Sequence, residues 1–356
     1  MKGLILSGGK GTRLRPITHT AAKQLVPVAN KPILFYAIEA LRAAGIEDIG
    51  IIVGDTHLEV RQAVGDGSRF GTRVTYIQQE APLGLAHAVK IAEDFMAGDS
   101  FVMYLGDNLI RGGIVDFVRE FQAESPDAMV LLAKVPNPSS FGVAELNGDG
   151  QIKQLVEKPR EPRSDLGLVG VYLFTQAVFP AVNAIAPSAR GELEITDAIQ
   201  YLVDQHKRVL PHVITGWWKD TGKLSDMLEA NRIMLDDIED ADVRGDVLGT
   251  TQIQGRVVVS QGARLKNCTI RGPVVIGERC LLENTFVGPY TSIGPDVTIT
   301  GTEIEHSIVL SGSTIRDLDG RIVDSLLGKN VEVSHLGDHP KAYRLMLGDN
   351  SVVSIP

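Results

Sequence analysis

The sequence lacks the features that mark secreted, membrane-spanning and metal-cluster proteins. Among its 356 residues are only two cysteines, Cys268 and Cys280, which is too few for a disulfide framework or a zinc motif. No apolar run approaches the ~18 residues that a membrane span requires. The apolar run at the start is also too short for a signal peptide. We therefore expect a protein of the reducing cytoplasm with no membrane partner.

A basic surface and ready-made catalytic motifs are also missing. The net charge of −9 argues against a broad nucleic-acid or acidic-membrane surface, so nucleic acid is not an expected partner. None of the eight histidines pairs with a serine or cysteine in a triad-like motif. The glycines around Lys10 fit neither a P-loop, which needs Ser or Thr after its lysine, nor the dinucleotide fingerprint. Any anion-binding site must therefore be a local basic pocket.

A glycine-rich loop follows the short apolar run that ends at Leu6. Gly8, Gly9 and Gly11 allow positive φ angles and let backbone N–H groups approach a ligand. Arg13 follows closely, and its guanidinium group matches the geometry of phosphate oxygens. The pattern favours a phosphate-binding loop, with a glycine-rich surface turn as the alternative.

Strands and helices alternate over the first two-thirds of the chain. This alternation predicts an α/β fold, in which a Rossmann-like, mostly parallel sheet carries helices on both faces. Ligands of such sheets bind beyond the carboxyl ends of the strands. Asn30, as an N-cap, and Pro32, in the first turn, predict the start of the first long helix. The turn residues 147–150 predict a β-hairpin that ends near Glu157.

The last third of the chain is a repeat. From Thr251 onwards, aliphatic residues recur in triplets, each offset by 17 residues from the one before: Ile253, Val259 and Leu265; Ile270, Ile276 and Leu282; Val287, Ile293 and Ile299. Three short strands per coil are the hexapeptide signature of a parallel β-helix. We expect domains at 1–242 and 243–337 and a tail at 338–356. The repeat would serve as a stabilising platform through which the chain forms a homo-oligomer.

Two aspartates are candidate metal ligands. Asp107 ends an apolar strand, and Asp220 follows another strand and two tryptophans. Carboxylates at open strand ends suit Mg²⁺, which binds one or two carboxylates together with phosphate oxygens. An Asx turn or a helix cap is the alternative reading of either residue alone.

Four further residues have a plain reading and a functional one. Lys23 and Lys158 would by default be surface lysines, although Lys158 is fixed between a strand and Pro159. The amide of Gln79 could read the edge of a base, and Gly84 would allow a flat ring to approach closely. An exposed glutamine and an ordinary turn glycine are the alternatives.

Several motifs, in order along the chain, resemble those of sugar-phosphate nucleotidylyltransferases. They are Gly8-Gly9-Lys10-Gly11-Thr12-Arg13-Leu14-Arg15-Pro16, Lys23-Gln24-Leu25-Val26-Pro27, Tyr104-Leu105-Gly106-Asp107-Asn108, Phe141-Gly142-Val143, Val156-Glu157-Lys158-Pro159 and Trp218-Lys219-Asp220-Thr221-Gly222. The resemblance is closest to glucose-1-phosphate thymidylyltransferases in the long form with a C-terminal left-handed β-helix. Lys10 departs from the pattern, since many relatives have a small residue there.

This resemblance implies a role for each matching residue. The nucleotide would be bound by Leu6, Gly8, Gly9, Gly11, Thr12, Arg13, Gln79, Gly84 and Asp107. The sugar phosphate would be bound by Gly142, Glu157, Lys158 and Val171. The residues implied in catalysis are Arg13, Lys23, Asp107 and Lys158, with Mg²⁺ as cofactor held by Asp107 and Asp220.

The implied reaction joins dTTP and glucose 1-phosphate to give dTDP-glucose and pyrophosphate. A sugar-phosphate oxygen would attack the α-phosphorus in line, and this anionic nucleophile requires no general base. UTP or another nucleotide is an alternative donor, since one methyl group gives only about 1–3 kcal/mol of discrimination. Two different functions also stay open, namely a fused acyltransferase that uses His306 and a binding protein without catalysis.

Overall fold

The computed structural model describes residues 1–9, 11–19, 22–335 and 350–354. The chain forms two compact units, and neither is a single continuous segment. The first comprises Met1–Lys10, Ala21–Leu25 and Ile33–Asp220, and the second comprises Gly11–Thr20, Val26–Pro32 and Thr221–Pro356. The domain limits at 242 and 337 remain a proposal about which segments fold independently. Except for 350–354, the expected tail lies outside the described residues.

Short strands and helices alternate up to residue 220. The strands are β1 (Lys2–Leu6), β2 (Pro27–Val28), β3 (Lys31–Pro32), β4 (Asp48–Val53), β5 (Arg73–Gln78), β6 (Phe101–Leu105), β7 (Asn108–Ile110), β8 (Ala128–Lys134), β9 (Gly142–Leu146), β10 (Ile152–Glu157), β11 (Leu166–Phe174), β12 (Val209–Val213) and β13 (Trp218–Asp220). The helices are α1 (Ile33–Ala43), α2 (His57–Val64), α3 (Leu85–Ile91), α4 (Glu93–Met96), α5 (Val115–Glu124), α6 (Val178–Ala184) and α7 (Ile195–Asp204), and α8 (Leu224–Asp236) follows in the second unit.

A nine-stranded sheet forms the centre of the first unit. Its main path runs β10-β9-β11-β6-β1-β4-β5, and β8 joins β11 to β12. The strands β5, β4, β1 and β6 are mutually parallel, and β11 lies antiparallel to β6, β8 and β9. The predicted Rossmann-like α/β fold is therefore confirmed.

Both faces of this sheet are buried by helices. Leu4 and Leu6 of β1 lie in one apolar cluster with residues of α3, α6 and α7, whereas Ile5 lies in another with residues of α1, α2 and α5. Successive strand residues point to opposite faces. Because both faces are covered, the strand reads as a continuous apolar run rather than an alternating one.

The hairpin formed by β9 and β10 follows its turn chemistry. Asn147 Oδ1 accepts hydrogen bonds from the backbone N–H groups of Asp149 at 3.0 Å and Gln151 at 2.9 Å. The resulting register places Glu157 opposite Gly142. The hairpin thus brings together two residues that the motifs assign to the sugar phosphate.

The second unit contains the repeat. Its strands after α8 are β14 (Asp242–Val243), β15 (Asp246–Leu248), β16 (Gln252–Gln254), β17 (Val257–Val259), β18 (Arg264–Lys266), β19 (Thr269–Arg271), β20 (Val274–Ile276), β21 (Leu281–Glu283), β22 (Phe286–Val287), β23 (Thr291–Ile293), β24 (Thr298–Thr300), β25 (Glu303–Glu305), β26 (Ile308–Val309), β27 (Thr314–Arg316), β28 (Ile322–Val323), β29 (Leu326–Leu327) and β30 (Glu332–Ser334). They form three parallel sheets of six, six and five strands, as expected for a left-handed parallel β-helix.

The stacking register of these sheets is the one that the 17-residue period predicts. Ile253 stands beside Ile270, which stands beside Val287, and Val287 stands beside Ile304. The predicted triplet residues from Val259 to Ile299, and Ile304 after them, are completely buried. After Ile315 the 17-residue pattern weakens in the sequence, because the step from β25 to β28 is one residue longer. The coils nevertheless continue.

The predicted start of the first long helix is wrong. Pro32 pairs with Pro27 in the short β2–β3 ladder, and α1 begins at Ile33. Asn30 has a left-handed φ of 60°, and its amide donates a hydrogen bond of 2.6 Å to the carbonyl of Ile293 within the second unit. A partner distant in sequence has therefore replaced the local cap.

The helices were compared with the length and hydropathy that a membrane span requires. Within the described ranges, none is both long enough and apolar enough to span a bilayer.

Candidate active site

Three parallel strands of the first unit end at the same edge of the sheet. The glycine loop follows β1, Gln79 follows β5, and Asp107 follows β6. Backbone hydrogen bonds hold these ends in register, with Gly106 N–H donating to the carbonyl of Leu6 at 2.9 Å. The carboxyl edge of the sheet thus collects residues that the sequence motifs assign to the nucleotide.

A pocket of about 190 Å³ opens at this edge. The residues that line it are Leu6, Gly8, Gly9, Gln24, Ile52, Gln79, Pro82, Gly84, Leu85, Ala88, Leu105, Asp107 and Glu192. Six of the nine predicted nucleotide residues are among them. Gly84 has a φ of 105°, and a Cβ there would lie 2.3 Å from the carbonyl oxygen of Leu193, so only glycine fits.

The pocket also contains residues to which the sequence interpretation gave no nucleotide role. Gln24 is buried, and its Nε2 donates to the carbonyl oxygen of Gly8 at 3.0 Å, which ties the lysine motif to the glycine loop. Glu192 also lines this pocket. The sequence feature that could have identified Gln24 is its position next to Lys23 in the same motif.

Lys23 lies between the two candidate metal ligands. Its side chain is 8 % exposed, and Nζ donates a hydrogen bond to Oδ2 of Asp107. The same nitrogen lies 3.7 Å from Oδ1 of Asp220. The structure therefore brings together three residues that are 84 and 113 positions apart in sequence.

The cluster keeps Asp107 ionised. Burial raises the pKa of this carboxyl group, but the charge and hydrogen bond of Lys23 and a hydrogen bond from Asn108 outweigh burial, so the net pKa of Asp107 is lowered. Asn108 itself is fixed, since its Nδ2 donates to Asp107 at 2.9 Å and its Oδ1 accepts from Trp218 Nε1 at 2.6 Å. Asp107 therefore faces the pocket as an oriented carboxylate.

These two carboxylates suit a magnesium ion that is shared with a ligand. Asp107 and Asp220 each place a carboxylate oxygen near Lys23 Nζ, so two hard oxygen donors lie close together. Elsewhere in the described ranges, no three His, Cys, Asp or Glu side chains cluster as metal ligands. Two carboxylates fit Mg²⁺ when phosphate oxygens and water complete its coordination.

The predicted sugar-phosphate residues form a second group in the first unit. Glu157 Oε2 accepts a hydrogen bond of 2.7 Å from Thr196, and Oε1 accepts one of 3.2 Å from Arg190. A Cβ on Gly142 would lie 3.1 Å from Glu157 Oε2 and 2.8 Å from Thr196 Oγ1. The missing side chain of Gly142 thus leaves the space in which the Glu157 carboxylate sits.

Arg190 and Thr196 had no signal in the sequence. Arg190 makes its shortest contacts, 2.8 and 2.9 Å, with Glu194, which is 4 % exposed. Burial, followed by the charges of Glu194 and Glu157, raises the pKa of Asp197. This acidic cluster around one guanidinium group fixes the position of Glu157.

Lys158 and Val171, the other two residues predicted to bind the sugar phosphate, differ in the exposure of their side chains. The side chain of Lys158 is 44 % exposed, and its Nζ lies 3.4 Å from Glu157. Its φ of 42° is in the left-handed region, which costs about 1–3 kcal/mol for a residue other than glycine. Val171 is fully buried in the sheet core, so only its backbone could contact a ligand.

Gly11, Thr12 and Arg13 belong to the second unit. The carbonyl of Gly11 accepts hydrogen bonds from Leu14 N–H at 3.0 Å and from Thr18 Oγ1 at 2.6 Å. Lys10 and the side chain of Thr12 lie outside the part of the chain that is described.

The guanidinium group of Arg13 is exposed and packs against Gly222, where a Cβ would lie 3.2 Å from Nη1. His306, on which the acyltransferase hypothesis depends, also lies in the second unit. Its Nδ1 faces the Asp324 carboxylate, and its ring is 33 % exposed. This contact resembles a surface ion pair.

Comparison with known proteins decides the family. A family model described as nucleotidyl transferase matches residues 2–237. The chain belongs to the nucleotidyl transferase family. The resemblance seen in the motifs is thereby confirmed. Members of this family generally depend on a divalent metal.

This nucleotidyl transferase has relatives that match it along its whole length. It is 56 % identical over 356 residues to a glucose-1-phosphate thymidylyltransferase of Streptomyces antibioticus. It is 54 % identical over 360 residues to one of Streptomyces griseus, and both alignments cover 100 % of this chain and 99 % of the relative. Both alignments therefore include the segment that forms the β-helix in this chain.

A solved structure shares the first part of this nucleotidyl transferase. The crystal structure of a Bacillus anthracis protein assigned as a glucose-1-phosphate thymidylyltransferase superimposes with a TM-score of 0.63 at 38 % identity. The match covers 68 % of this chain and 98 % of that one.

Proposed function

We propose that this nucleotidyl transferase is a glucose-1-phosphate thymidylyltransferase, which converts dTTP and glucose 1-phosphate into dTDP-glucose and pyrophosphate. The observation that carries the proposal is the contact of Lys23 with both Asp107 and Asp220, next to a pocket that contains Gln79 and Gly84. Full-length similarity to two Streptomyces thymidylyltransferases supports the same activity.

The chemistry is a single in-line displacement at phosphorus. An oxygen of the glucose 1-phosphate attacks the α-phosphorus of dTTP and forms a new P–O bond. The bond between the α-phosphorus and the bridging oxygen breaks, and that oxygen leaves with its electron pair as part of pyrophosphate. Because the attacking oxygen is already anionic, the residues need only position the substrates and neutralise charge.

The nucleotide half of the site binds the donor. Gln79 and Gly84 contact the pyrimidine, while Lys23 and Arg13 bind the triphosphate and stabilise the departing pyrophosphate. These roles follow the motif assignments, and the burial of Lys23 supports a role other than that of a surface lysine. A charged donor in a partly dry site stabilises developing negative charge more strongly than it would in water.

The acceptor half of the site binds the sugar phosphate. Lys158 binds its phosphate group, and Gly142, Glu157 and the backbone of Val171 shape the sugar pocket. The double anchoring of Glu157 by Thr196 and Arg190 supports its role as an acceptor for sugar hydroxyl groups. A bound Mg²⁺, held by Asp107 and Asp220, would neutralise phosphate charge and orient the phosphates.

The β-helix is proposed to mediate homo-oligomer formation. It exposes apolar side chains on its outer surface, among them Val243, Val247 and Val323, each more than 40 % exposed. Light scattering of the full chain should then give a multiple of 38.4 kDa. A mass of one chain at micromolar concentration would refute this part of the proposal.

Product identification tests the activity itself. Purified protein is incubated with dTTP, glucose 1-phosphate and Mg²⁺, and the products are identified by mass spectrometry and by pyrophosphate release. Equal amounts of dTDP-glucose and pyrophosphate are expected, and neither should form without glucose 1-phosphate. Absence of both products would reject the proposal.

A further inference from the structure

The side-chain amide of Gln79 is held by two contacts. Its Nε2 lies 3.2 Å from the carbonyl oxygen of Gly84 and 3.1 Å from Nδ1 of His87 on α3. A backbone carbonyl oxygen can only accept a hydrogen bond, so the amide atom that faces Gly84 must be the NH₂ group. This contact favours one orientation of the amide, and the contact with His87 reinforces it.

The orientation of the Gln79 amide also determines the protonation state and tautomer of the His87 ring. The NH₂ group of Gln79 has two hydrogens, of which one goes to Gly84 and the other points at His87 Nδ1. Nδ1 must therefore accept, which requires a neutral ring with its proton on Nε2. Burial, and after it the charge of Lys90, lowers the pKa of His87 and so favours this neutral form.

The other amide atom, Oε1, is left for a ligand. An ideal Cβ on Gly8 would lie 3.6 Å from Oε1, so this oxygen faces the glycine loop. Both Gly8 and Gln79 line the nucleotide pocket. The pocket therefore presents an oriented hydrogen-bond acceptor where the sequence alone suggested an amide of either orientation.

We propose that His87 is a positioning residue for base selection, which holds the Gln79 amide so that Oε1 accepts the N3–H of a thymine or uracil ring. This inference rests on the proposed function. Thymine and uracil present a donor at N3, whereas cytosine presents a lone pair there, which Oε1 repels. His87 thus acts through Gln79 and favours one class of pyrimidine over the other.

Removing His87 should relax this choice. Without the acceptor at Nδ1, the Gln79 amide is held by the Gly84 carbonyl alone, so one of its two restraints is lost and it turns its NH₂ group towards N3 of cytosine more readily. His87→Leu removes the acceptor at similar volume, and His87→Ala removes it with a strong helix former. His87→Asn is the matched control, because its Oδ1 can accept near the position of Nδ1.

The experiment compares kcat/KM for dTTP, dUTP and dCTP in the wild type and the three variants. In His87→Leu and His87→Ala, kcat/KM for dTTP should fall about fivefold to tenfold, the range of one net hydrogen bond, mainly through KM. The ratio of dTTP to dCTP should fall by a similar factor. The ratio of dTTP to dUTP and the KM of glucose 1-phosphate should stay within about twofold, and His87→Asn should resemble the wild type.

Several outcomes would overturn the inference. If His87 only supported the helix, every nucleotide would lose activity alike and the dTTP to dCTP ratio would not move. A His87→Asn variant as impaired as His87→Leu would contradict the acceptor role. Thermal melts establish that each variant is folded, and His87→Ala replaces His87→Leu in the comparison if the latter is not.

The proposed function can fail separately. If the wild type releases no pyrophosphate with any pyrimidine nucleotide, the proposed function falls and this inference falls with it. If the wild type is active with dTTP but the variants keep its base preference, only the role of His87 is wrong.

Discussion

The ammonium group of Lys23 donates a hydrogen bond to Oδ2 of Asp107, although the two residues lie 84 positions apart in the sequence. Lys23 Nζ also lies 3.7 Å from Asp220. One positive charge thus faces two negative charges, and the cluster retains a net negative charge that a divalent cation can balance. Four predictions concern this site and its scaffold.

Replacement of Asp107 by asparagine should lower kcat by about 10²-fold or more, as expected when a key electrostatic contact at the reacting phosphates is lost. Asparagine keeps the shape and polarity of the side chain, but it offers one acceptor oxygen to the two donors, Asn108 Nδ2 and Lys23 Nζ. The fold should therefore persist, with the free energy of unfolding reduced by about 1–3 kcal/mol because Lys23 loses its closest counter-charge. Pyrophosphate release and thermal melts measure the two effects. Turnover close to that of the wild type would remove Asp107 from the metal site.

Metal dependence should involve both carboxylates. Treatment with EDTA should abolish pyrophosphate release, and added Mg²⁺ should restore it. In Asp220→Asn, the Mg²⁺ concentration for half-maximal rate should rise about tenfold or more, since one of two protein ligands is lost. A titration of the initial rate against Mg²⁺ provides the measurement. An unchanged half-maximal concentration would show that Asp220 does not hold the ion.

The sugar pocket should be sensitive to a single added methyl group. In Gly142→Ala, the new Cβ would lie 2.8 Å from Thr196 Oγ1 and 2.7 Å from Leu168 Cδ1, and so displace Glu157. We expect the KM of glucose 1-phosphate to rise about tenfold, equivalent to ~1.4 kcal/mol, with the KM of dTTP nearly unchanged.

Gly148→Ala is the matched control for this change. Gly148 lies in the turn of the same hairpin, and its Cβ would meet nothing within 4 Å. Its steady-state constants should equal those of the wild type. A rise of the dTTP KM as large as that of glucose 1-phosphate in Gly142→Ala would place the residue outside the sugar pocket.

Two neighbouring leucines test the register of the β-helix. Leu282 is completely buried, whereas Leu281 is 41 % exposed. Leu282→Ala should lower the free energy of unfolding by about 2–5 kcal/mol. Leu281→Ala should change it by no more than about 0.5 kcal/mol. Chemical denaturation measures both values, and equal values for the two variants would contradict the stacking seen in the structure.

The parts of the fold that the sequence predicts are those with a regular repeat or a fixed sheet topology. In the β-helix aliphatic residues recur at buried positions every 17 residues, so this period alone identifies buried residues such as Ile270 and Ile276. The parallel strands of the first unit likewise carry their site residues at their carboxyl ends, because that edge is fixed by topology. Gln79 and Asp107 are predictable for this reason.

The parts that escaped prediction depend on single contacts between distant residues. Asn30 matches a helix cap locally, yet its amide bonds to Ile293. Arg190 lies in a loop without periodicity, and only the folded chain brings it to Glu157. His87 reads as one more helix residue until its distance to Gln79 is known. No local pattern encodes such pairs.

Pyrophosphate release by the wild type with glucose 1-phosphate and, in turn, dTTP, UTP, ATP, CTP and GTP tests the central claim most directly. The account predicts the highest kcat/KM with dTTP, measurable turnover with UTP, and much lower values with CTP and both purine nucleotides. It also predicts that release depends on the sugar phosphate. Release with none of the five nucleotides, or release that is independent of glucose 1-phosphate, would contradict it.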